Sequence, residues 1–308
     1  MTRLNGYLLT ADGHQLYWER HGTRGGEPVF FLHGGPGGRC SRHHLEFFDL
    51  RCFDVILIDQ RGCGRSRPYG QTRDNNTALN VEDINALRLH LGLQRISLLG
   101  VSWGTWLAIQ YQQRYPATLL KTTLVSVFVP FAANTYAYEE AINAALRHTG
   151  GGTTRDIQQI LNDGCRDQQH QAAIHWLQAS LRLNGQTMPM DALGRFADEE
   201  AILAIRLELH YHVNRYFFSA DSENVSLNSD TLIIQGIKDP FGMSSLRWLR
   251  QRQPVSSRLL RAGHNAFELP ILKTVRESLK RECESDAFPQ TVAPIATLKR
   301  TDLAKPST

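Results

Sequence analysis

The 308-residue sequence has no long apolar run, no cluster of basic residues and no closely spaced cysteines. No stretch approaches the roughly 20 uninterrupted apolar residues that a membrane-spanning helix requires, so we expect no membrane partner. The N-terminal segment has no apolar core followed by a small-residue cleavage site, which predicts no signal peptide. Lysine and arginine are scattered and the formal net charge is only +4, which gives no support for a nucleic-acid partner.

The cysteines are widely spaced and form neither CxxC pairs nor a dense disulfide framework. They are Cys40, Cys52, Cys63, Cys165 and Cys283. This pattern is typical of a reducing compartment, so we expect a cytoplasmic protein. The neighbouring histidines at 43 and 44 and at 210 and 212 lack nearby cysteine or HExxH spacing, and we therefore expect no bound metal.

What the sequence does contain is the composition of a globular protein, with 42% hydrophobic and 21% charged residues. A hairpin that turns at Asp12-Gly13 is followed by several near-continuous apolar runs, as expected of strands that are buried on both faces. Helical patterns lie between these runs. One is predicted over residues 81–91, where Glu82 and Asp83 would occupy the first turn and suit the helix dipole.

From about residue 131 to 224 the periodicity is helical, and strands return afterwards. We therefore predict an α/β fold, with a mainly parallel eight-stranded sheet, helices on both faces and an all-helical cap inserted after the sixth strand. The predicted boundaries are 1–130 for the first part of the core, 131–225 for the cap and 226–285 for the second part of the core. Residues 286–308 are predicted to form a flexible polar tail.

The sharpest local signal is the G-x-S-x-G motif Gly100-Val101-Ser102-Trp103-Gly104, which lies between a predicted strand and a predicted helix. This is the setting of a nucleophile elbow, in which glycines two residues to either side of the serine avoid crowding in a strained turn. The serine hydroxyl would then lie at a helix N-terminus, whose amides favour developing negative charge. Taken alone, the motif also fits an ordinary glycine-rich turn.

Two partners for this serine follow in the chain. Asp239 comes just after the apolar run LIIQG, and His264 comes just after the next predicted strand. The carboxyl ends of parallel strands share one edge of a sheet, where reactive groups of open α/β folds lie. A serine hydroxyl becomes a good nucleophile when a neutral imidazole accepts its proton and a carboxylate holds that imidazole. The order Ser102, Asp239, His264 therefore predicts the catalytic triad of a serine hydrolase.

The segment HGGPGG, residues 33–38, follows the third predicted strand. Serine hydrolases need backbone N–H donors for the oxyanion, one from the residue after the nucleophile (Trp103) and one from this loop. Glycines let the backbone approach the oxyanion closely. A phosphate-binding loop is excluded because no Lys-Ser/Thr follows and no dinucleotide fingerprint is present, so we expect no cofactor.

Together these motifs resemble the proline iminopeptidase family of α/β-hydrolases. The resemblance rests on FFLHGGPGG, VILIDQRGCGRSRP, GVSWGTW, GIKDP and AGHNAFE, and it covers residues 5–130 and 230–270. It implies the α/β-hydrolase fold, with Ser102, Asp239 and His264 as the triad and the amides of Gly35 and Trp103 as oxyanion donors. It also implies release of an N-terminal residue, usually proline, from a small peptide or aminoacyl amide.

The cap matches the family less well. The resemblance implies that cap carboxylates bind the substrate's ammonium group, and the family motif R-I-E-N-H-Y-F is RLELHYH here. Glu208 thus keeps the acid, while His212 replaces the final aromatic residue. Ser180 stands where the family has a second acid, and Gly242 stands where a cysteine lines the proline pocket. Two pocket aromatics of the family are matched, by Phe128 and Tyr138.

Two interpretations of the cap stay open. Either Glu139, Glu140 or Asp198 replaces the missing acid, or the substrate is something other than an N-terminal prolyl peptide. Such a substrate could be another aminoacyl amide, a biosynthetic acyl compound, an ester or a thioester. A non-catalytic binding protein on this scaffold is disfavoured because the triad is complete, and a dehalogenase would need aspartate at position 102. Cys63, inside the family motif, is expected to be a buried structural residue.

Overall fold

A computed structural model describes residues 4–285, and within them eight strands form a single sheet. The strands are β1 (Leu4–Leu9), β2 (Gln15–Gly22), β3 (Glu27–Leu32), β4 (Phe53–Ile58), β5 (Ile96–Val101), β6 (Leu119–Val125), β7 (Thr231–Gly236) and β8 (Ser256–Leu260). Their order is β1-β2-β4-β3-β5-β6-β7-β8. The pairs β1/β2 and β2/β4 are antiparallel and the others parallel, which confirms the predicted sheet.

The α-helices of the described chain lie between and after these strands. They are α1 (Thr77–His90), α2 (Trp103–Arg114), α3 (Ala132–Thr149), α4 (Thr154–Asp163), α5 (Arg166–Leu183), α6 (Met190–Leu193), α7 (Glu199–Val213), α8 (Pro240–Arg250) and α9 (Leu269–Ser285). Helices α3 to α7 stand between β6 and β7, at the point where the sequence predicts the helical cap. The predicted tail, residues 286–308, lies outside the described residues.

The sheet is covered on both faces, which explains its continuous apolar strands. Successive residues of β3 pack into different clusters: Phe30 joins side chains of α1, α2 and α8, while Phe31 joins side chains of α9. Strands buried on both faces have no polar alternation, as the sequence indicates. The cap has a core of its own, in which Ile142, Trp176 and Leu209 from three different helices pack together.

The start of α1 differs from the prediction. The helix begins at Thr77 rather than at residue 81, and the side chain of Asn76 accepts a hydrogen bond from the Leu79 amide at 2.9 Å. Glu82 and Asp83 therefore fall beyond the first turn. Asp83 accepts a hydrogen bond from Arg61 Nε at 2.6 Å, so its carboxylate serves a tertiary ion pair and not the helix dipole.

In the part of the chain that the structure describes, no helix is both long enough and apolar enough to cross a bilayer. Cys63 is buried, as predicted, and burial raises the pKa of its thiol to about 12. Cys40 and Cys165 are also free thiols, whereas Cys52 is disulfide-bonded. The sequence analysis did not anticipate that disulfide.

Candidate active site

Ser102 lies in a sharp turn between β5 and α2, with its backbone at φ 53° and ψ −121°. Positive φ is costly for a residue other than glycine and persists only where surrounding structure enforces it. A Cβ on Gly100 would clash with the carbonyl oxygen of Gly104, and a Cβ on Gly104 would clash with that of Leu32. The two glycines of G-x-S-x-G are therefore sterically required here.

His264 and Asp239 complete a continuous hydrogen-bonded chain with Ser102. His264 Nε2 lies 2.8 Å from Ser102 Oγ, and His264 Nδ1 lies 2.7 Å from Asp239 Oδ2. Asp239 directly follows the turn after β7 and caps α8, since its Oδ1 accepts a hydrogen bond from the Gly242 amide at 3.0 Å. The three side chains that the sequence predicts as a triad thus have the geometry that nucleophilic catalysis requires.

The electrostatics of Asp239 keep it ionised. Burial opposes ionisation, but the hydrogen bond and charge of His264, together with hydrogen bonds from the Gly242 amide and Gln235, outweigh it. The pKa of Asp239 therefore lies below its ordinary value. An ionised carboxylate on His264 Nδ1 holds the proton there and leaves Nε2 free to accept a proton from Ser102.

The glycine loop after β3 passes directly against the serine. A Cβ on Gly34 would lie 3.4 Å from Ser102 Cβ and 4.0 Å from Ser102 Oγ. Gly35 has φ 130°, and a Cβ there would lie 2.7 Å from the Gly38 amide nitrogen. Trp103 is the first residue of α2, so its N–H has no acceptor within the helix. The amides of Gly35 and Trp103 remain the predicted oxyanion donors.

On the cap side, Glu208 of α7 is enclosed by side chains of α3 and α5. The indole Nε1 of Trp176 donates to Glu208 Oε2 at 3.1 Å, and the hydroxyl of Tyr138 also donates to this carboxyl group. Burial raises the pKa of Glu208 to about 7, although both hydrogen bonds oppose the rise. A carboxylate in such a setting gains from a cationic partner, because its lost hydration is then replaced.

Aromatic contacts connect the triad edge to the cap. Tyr216 packs on Trp103 at a centroid distance of 5.6 Å and on Phe128 at 5.2 Å. Tyr138 packs on Phe241, two residues after Asp239, at 5.4 Å. The sequence predicted Phe128 and Tyr138 but missed Tyr216 and Phe241. Tyr216 lies in a segment where three consecutive residues have positive φ, without a glycine to signal it.

Comparison with known proteins identifies the family of the chain. Residues 27–269 match the family model of the alpha/beta hydrolase fold. A proline iminopeptidase from Neisseria meningitidis serogroup A is 33% identical in an alignment that covers 90% of this chain and 95% of that protein. The chain belongs to the proline iminopeptidase family of α/β-hydrolases. It is therefore a member of an enzyme family, and the resemblance seen in the sequence motifs is confirmed.

Solved structures agree with the fold. A proline iminopeptidase-related protein from Thermus thermophilus superposes with a TM-score of 0.60 at 20% identity, over 91% of this chain and 98% of that chain. An esterase from Exiguobacterium antarcticum superposes with a TM-score of 0.62 at 21% identity, over 92% of this chain and all of that chain. At such identities the comparison establishes the fold alone.

Two polar side chains distinguish the cap of this proline iminopeptidase family member. His212 is 8% exposed, and neither ring nitrogen has a hydrogen-bond partner among the described residues. Its Nε2 lies 3.9 Å from Glu139 Oε1. Ser180, at the predicted place of the second family acid, also has a buried hydroxyl without a hydrogen-bond partner in the described chain. The chain thus has an imidazole where the family pattern has an aromatic ring, and a hydroxyl where that pattern has a carboxylate.

The structure changes the interpretation of Gly242. The sequence comparison places it on the pocket wall, but a Cβ at this position would clash with Asp239 Oδ2 and Gln235 Nε2. Position 242 therefore faces the triad carboxylate. Its lack of a side chain makes room for Gln235 beside Asp239 and does not by itself enlarge a pocket.

The three proposed replacements for the missing acid differ in position. Glu139 Oε1 lies 3.9 Å from His212 Nε2, and the His212 ring packs on Tyr216 at a centroid distance of 6.2 Å, so Glu139 lies beside the aromatic cluster. Asp198 accepts a hydrogen bond from the Ala201 amide at 2.9 Å and thus caps α7. Glu140 is exposed. Of these three carboxylates, Glu139 is the one that contacts a predicted pocket residue, His212.

Proposed function

We propose that this family member is a serine aminopeptidase, which releases an N-terminal residue, proline or another amino acid, from peptides or aminoacyl amides. The observation that carries the proposal is the unbroken chain of hydrogen bonds Ser102–His264–Asp239. The enclosed carboxylate of Glu208, held by Trp176, supports an amine-bearing substrate.

In the acylation step, Ser102 Oγ attacks the carbonyl carbon of the N-terminal residue while His264 Nε2 accepts the serine proton. The imidazolium that forms is stabilised by Asp239 on Nδ1. The amides of Gly35 and Trp103 donate to the oxyanion of the tetrahedral intermediate. His264 then gives its proton to the departing amine, and the N-terminal residue remains as an ester on Ser102.

In the deacylation step, the same imidazole activates water. His264 Nε2 takes a proton from a water molecule, whose oxygen attacks the ester carbonyl, and the second tetrahedral intermediate uses the same donors. Collapse of this intermediate returns the proton to Ser102 Oγ and releases the free amino acid. The substrate, one water molecule and the side chains named here balance both steps.

Glu208 binds the substrate's ammonium group in this proposal. An ammonium that leaves water needs an opposite charge, or its desolvation cost is not recovered. Tyr138 and Trp176 already fix the carboxylate by hydrogen bonds. Fixing it in advance reduces the ordering that substrate binding requires.

We expect free aminoacyl arylamides to be hydrolysed and their N-acetylated counterparts to be hydrolysed at least about 10-fold less efficiently in kcat/KM, because acetylation removes the charge that Glu208 binds. Glu208→Gln should lower kcat/KM for the free amines by about 10- to 100-fold and abolish the preference. Kinetics on a panel of Pro, Ala and other aminoacyl arylamides beside simple acyl esters measure this. Glu140→Gln, an exposed carboxylate on α3, is the matched control and should behave as the wild type.

The pKa of about 7 for Glu208 predicts a pH dependence of binding. Below that pH the carboxyl group is protonated and cannot pair with an ammonium, so KM for a free-amine substrate should fall as the pH rises through about 7. This decrease in KM should end near pH 8, because an α-amino group of ordinary pKa is about half deprotonated there. The KM of an N-acetylated substrate should not show this decrease with pH, and neither should the KM of the Glu208→Gln variant for a free amine. If Glu208→Gln kept the decrease, a group other than Glu208 would be responsible for it.

A second candidate is an esterase or thioesterase that acts on a neutral acyl group. It is favoured by Ser180, which offers a hydroxyl in place of the second acid, and by the raised pKa of Glu208, which makes a neutral carboxyl accessible near pH 7. Equal kcat/KM for free and N-acetylated arylamides, with faster turnover of simple esters, would establish this function and remove Glu208 from its proposed role.

A further inference from the structure

A buried glutamine bridges the two sides of the predicted oxyanion hole. Gln60 follows β4 and is 5% exposed. Its side-chain Nε2 donates to the backbone carbonyl of His33 at 2.9 Å, at the start of the glycine loop. Its Oε1 accepts a hydrogen bond from the indole Nε1 of Trp103 at 3.0 Å. One amide group thus touches the loop that contains Gly35 and the residue that follows the nucleophile.

The backbone of Gln60 acts on the same loop. Its N–H donates to His33 Nε2 at 3.1 Å, so the ring proton of a neutral His33 lies on Nδ1. That Nδ1 lies 2.8 Å from the carbonyl oxygen of Gly34 and donates to it. The Gly34 carbonyl and the Gly35 N–H belong to one planar trans peptide and point in opposite directions. Holding the carbonyl therefore fixes the direction of the Gly35 N–H.

We propose that Gln60 is a positioning residue for catalysis, which holds the Gly35 and Trp103 donors at a fixed separation around the oxyanion. This inference rests on the proposed serine hydrolase mechanism. Oxyanion donors are effective because they are already aimed when charge develops, so small displacements are costly. Only a side chain with a donor and an acceptor in one group can bridge a carbonyl and an indole N–H; glutamate has no donor and methionine has no amide.

The test uses variants that remove one or both bonds. Gln60→Met removes both side-chain bonds at similar volume and keeps the backbone bond to His33. Gln60→Glu keeps the acceptor for Trp103 but loses the donor to the His33 carbonyl. Trp103→Phe removes the indole N–H and, with it, part of a buried ring that packs on Tyr216. We expect Gln60→Met to lower kcat by about 10- to 100-fold with KM within about 2-fold, and the other two variants to be intermediate.

Two readouts separate positioning from structural support. The first is kcat per active site, counted by titration with an irreversible phosphonate that reacts with the catalytic serine. The second is affinity for a tetrahedral boronate relative to affinity for the amino-acid product. We expect kcat per site and boronate affinity to fall in parallel while product affinity is unchanged. A purely structural role would reduce the titratable fraction and the melting temperature, leaving both ratios at wild-type values, and would overturn the proposal.

The matched control is Gln112→Met. Gln112 is 2% exposed, and its Nε2 donates to Thr231 Oγ1 at 3.0 Å, at the start of β7 and thus at the opposite edge of the sheet from the triad. It should lose stability without a change in kcat per site.

Full turnover by Ser102→Ala would refute the proposed function itself. An inactive Ser102→Ala beside a Gln60→Met with wild-type kcat and boronate affinity would refute only the role of Gln60. If Gln60→Met yields too little folded protein, Trp103→Phe decides by the same two readouts.

Discussion

Ser102→Ala is expected to lower kcat by about 10⁵- to 10⁶-fold while leaving the fold intact, since the whole triad acts through this hydroxyl. His264 Nε2 lies 2.8 Å from Ser102 Oγ, and alanine leaves the imidazole without a nucleophile to activate. The backbone φ of 53° is also accessible to alanine at a cost similar to that for serine. Steady-state kinetics with the best aminoacyl arylamide measure the loss, and phosphonate labelling should disappear with it.

The chain offers a close control for this variant. Ser126 follows β6, the strand next to β5, and is also a buried serine with positive φ, at 52°. Ser126→Ala should keep kcat within about 2-fold of the wild type and remain fully labelled by the phosphonate. If Ser102→Ala retained more than about 1% of the wild-type kcat, the assignment of the nucleophile would be wrong.

The hydrogen-bonded arrangement of Ser102, His264 and Asp239 could be predicted because each of these residues has a local sequence signal at the end of an apolar run. Ser102 and His264 are 162 positions apart in the chain, yet a parallel sheet places the carboxyl ends of β5 and β8 on one edge. The glycines around Ser102 are also part of a recognisable motif, because a Cβ at position 100 or 104 would clash with the backbone. A close backbone approach that excludes a Cβ therefore leaves a trace in the sequence, as a glycine.

Features that depend on side chains meeting across the fold left no such trace. Gln60 follows a different strand from His33 and Trp103, which it contacts. Tyr216 lies in a left-handed segment, and the sequence NRYFF contains no glycine that would predict it. Gly242 was interpreted as part of a pocket wall because a linear comparison does not show that its missing Cβ faces Asp239. Contacts of this kind have no signal in the linear sequence, which is why the substrate is harder to predict than the reaction.

Asp239→Ala is expected to lower kcat by about 10⁴-fold, less than Ser102→Ala, because the nucleophile and base remain but the base is no longer held. His264 Nδ1 loses an acceptor at 2.7 Å, so its proton can move to Nε2, where it blocks acceptance of the serine proton. The variant also leaves the Gly242 amide and Gln235 without the carboxylate oxygens that they bind. Unpaired buried donors of this kind cost about 1–3 kcal/mol each in folding free energy.

The comparison variant is Asp54→Ala. Asp54 is 2% exposed, like Asp239, and accepts a hydrogen bond from Arg20 Nε at 2.7 Å on a part of β4 remote from the triad. It should destabilise the protein at least as much while leaving kcat per titrated site unchanged.

Because the folded-state pKa of Asp239 lies below its ordinary value of 3.8, the ionised carboxylate stabilises the fold above that pH, and this contribution is lost as the pH falls through the folded value. The stability difference between wild type and Asp239→Ala should therefore shrink below about pH 4. A loss of kcat in Asp54→Ala equal to that in Asp239→Ala would trace both losses to instability and remove Asp239 from the catalytic chain.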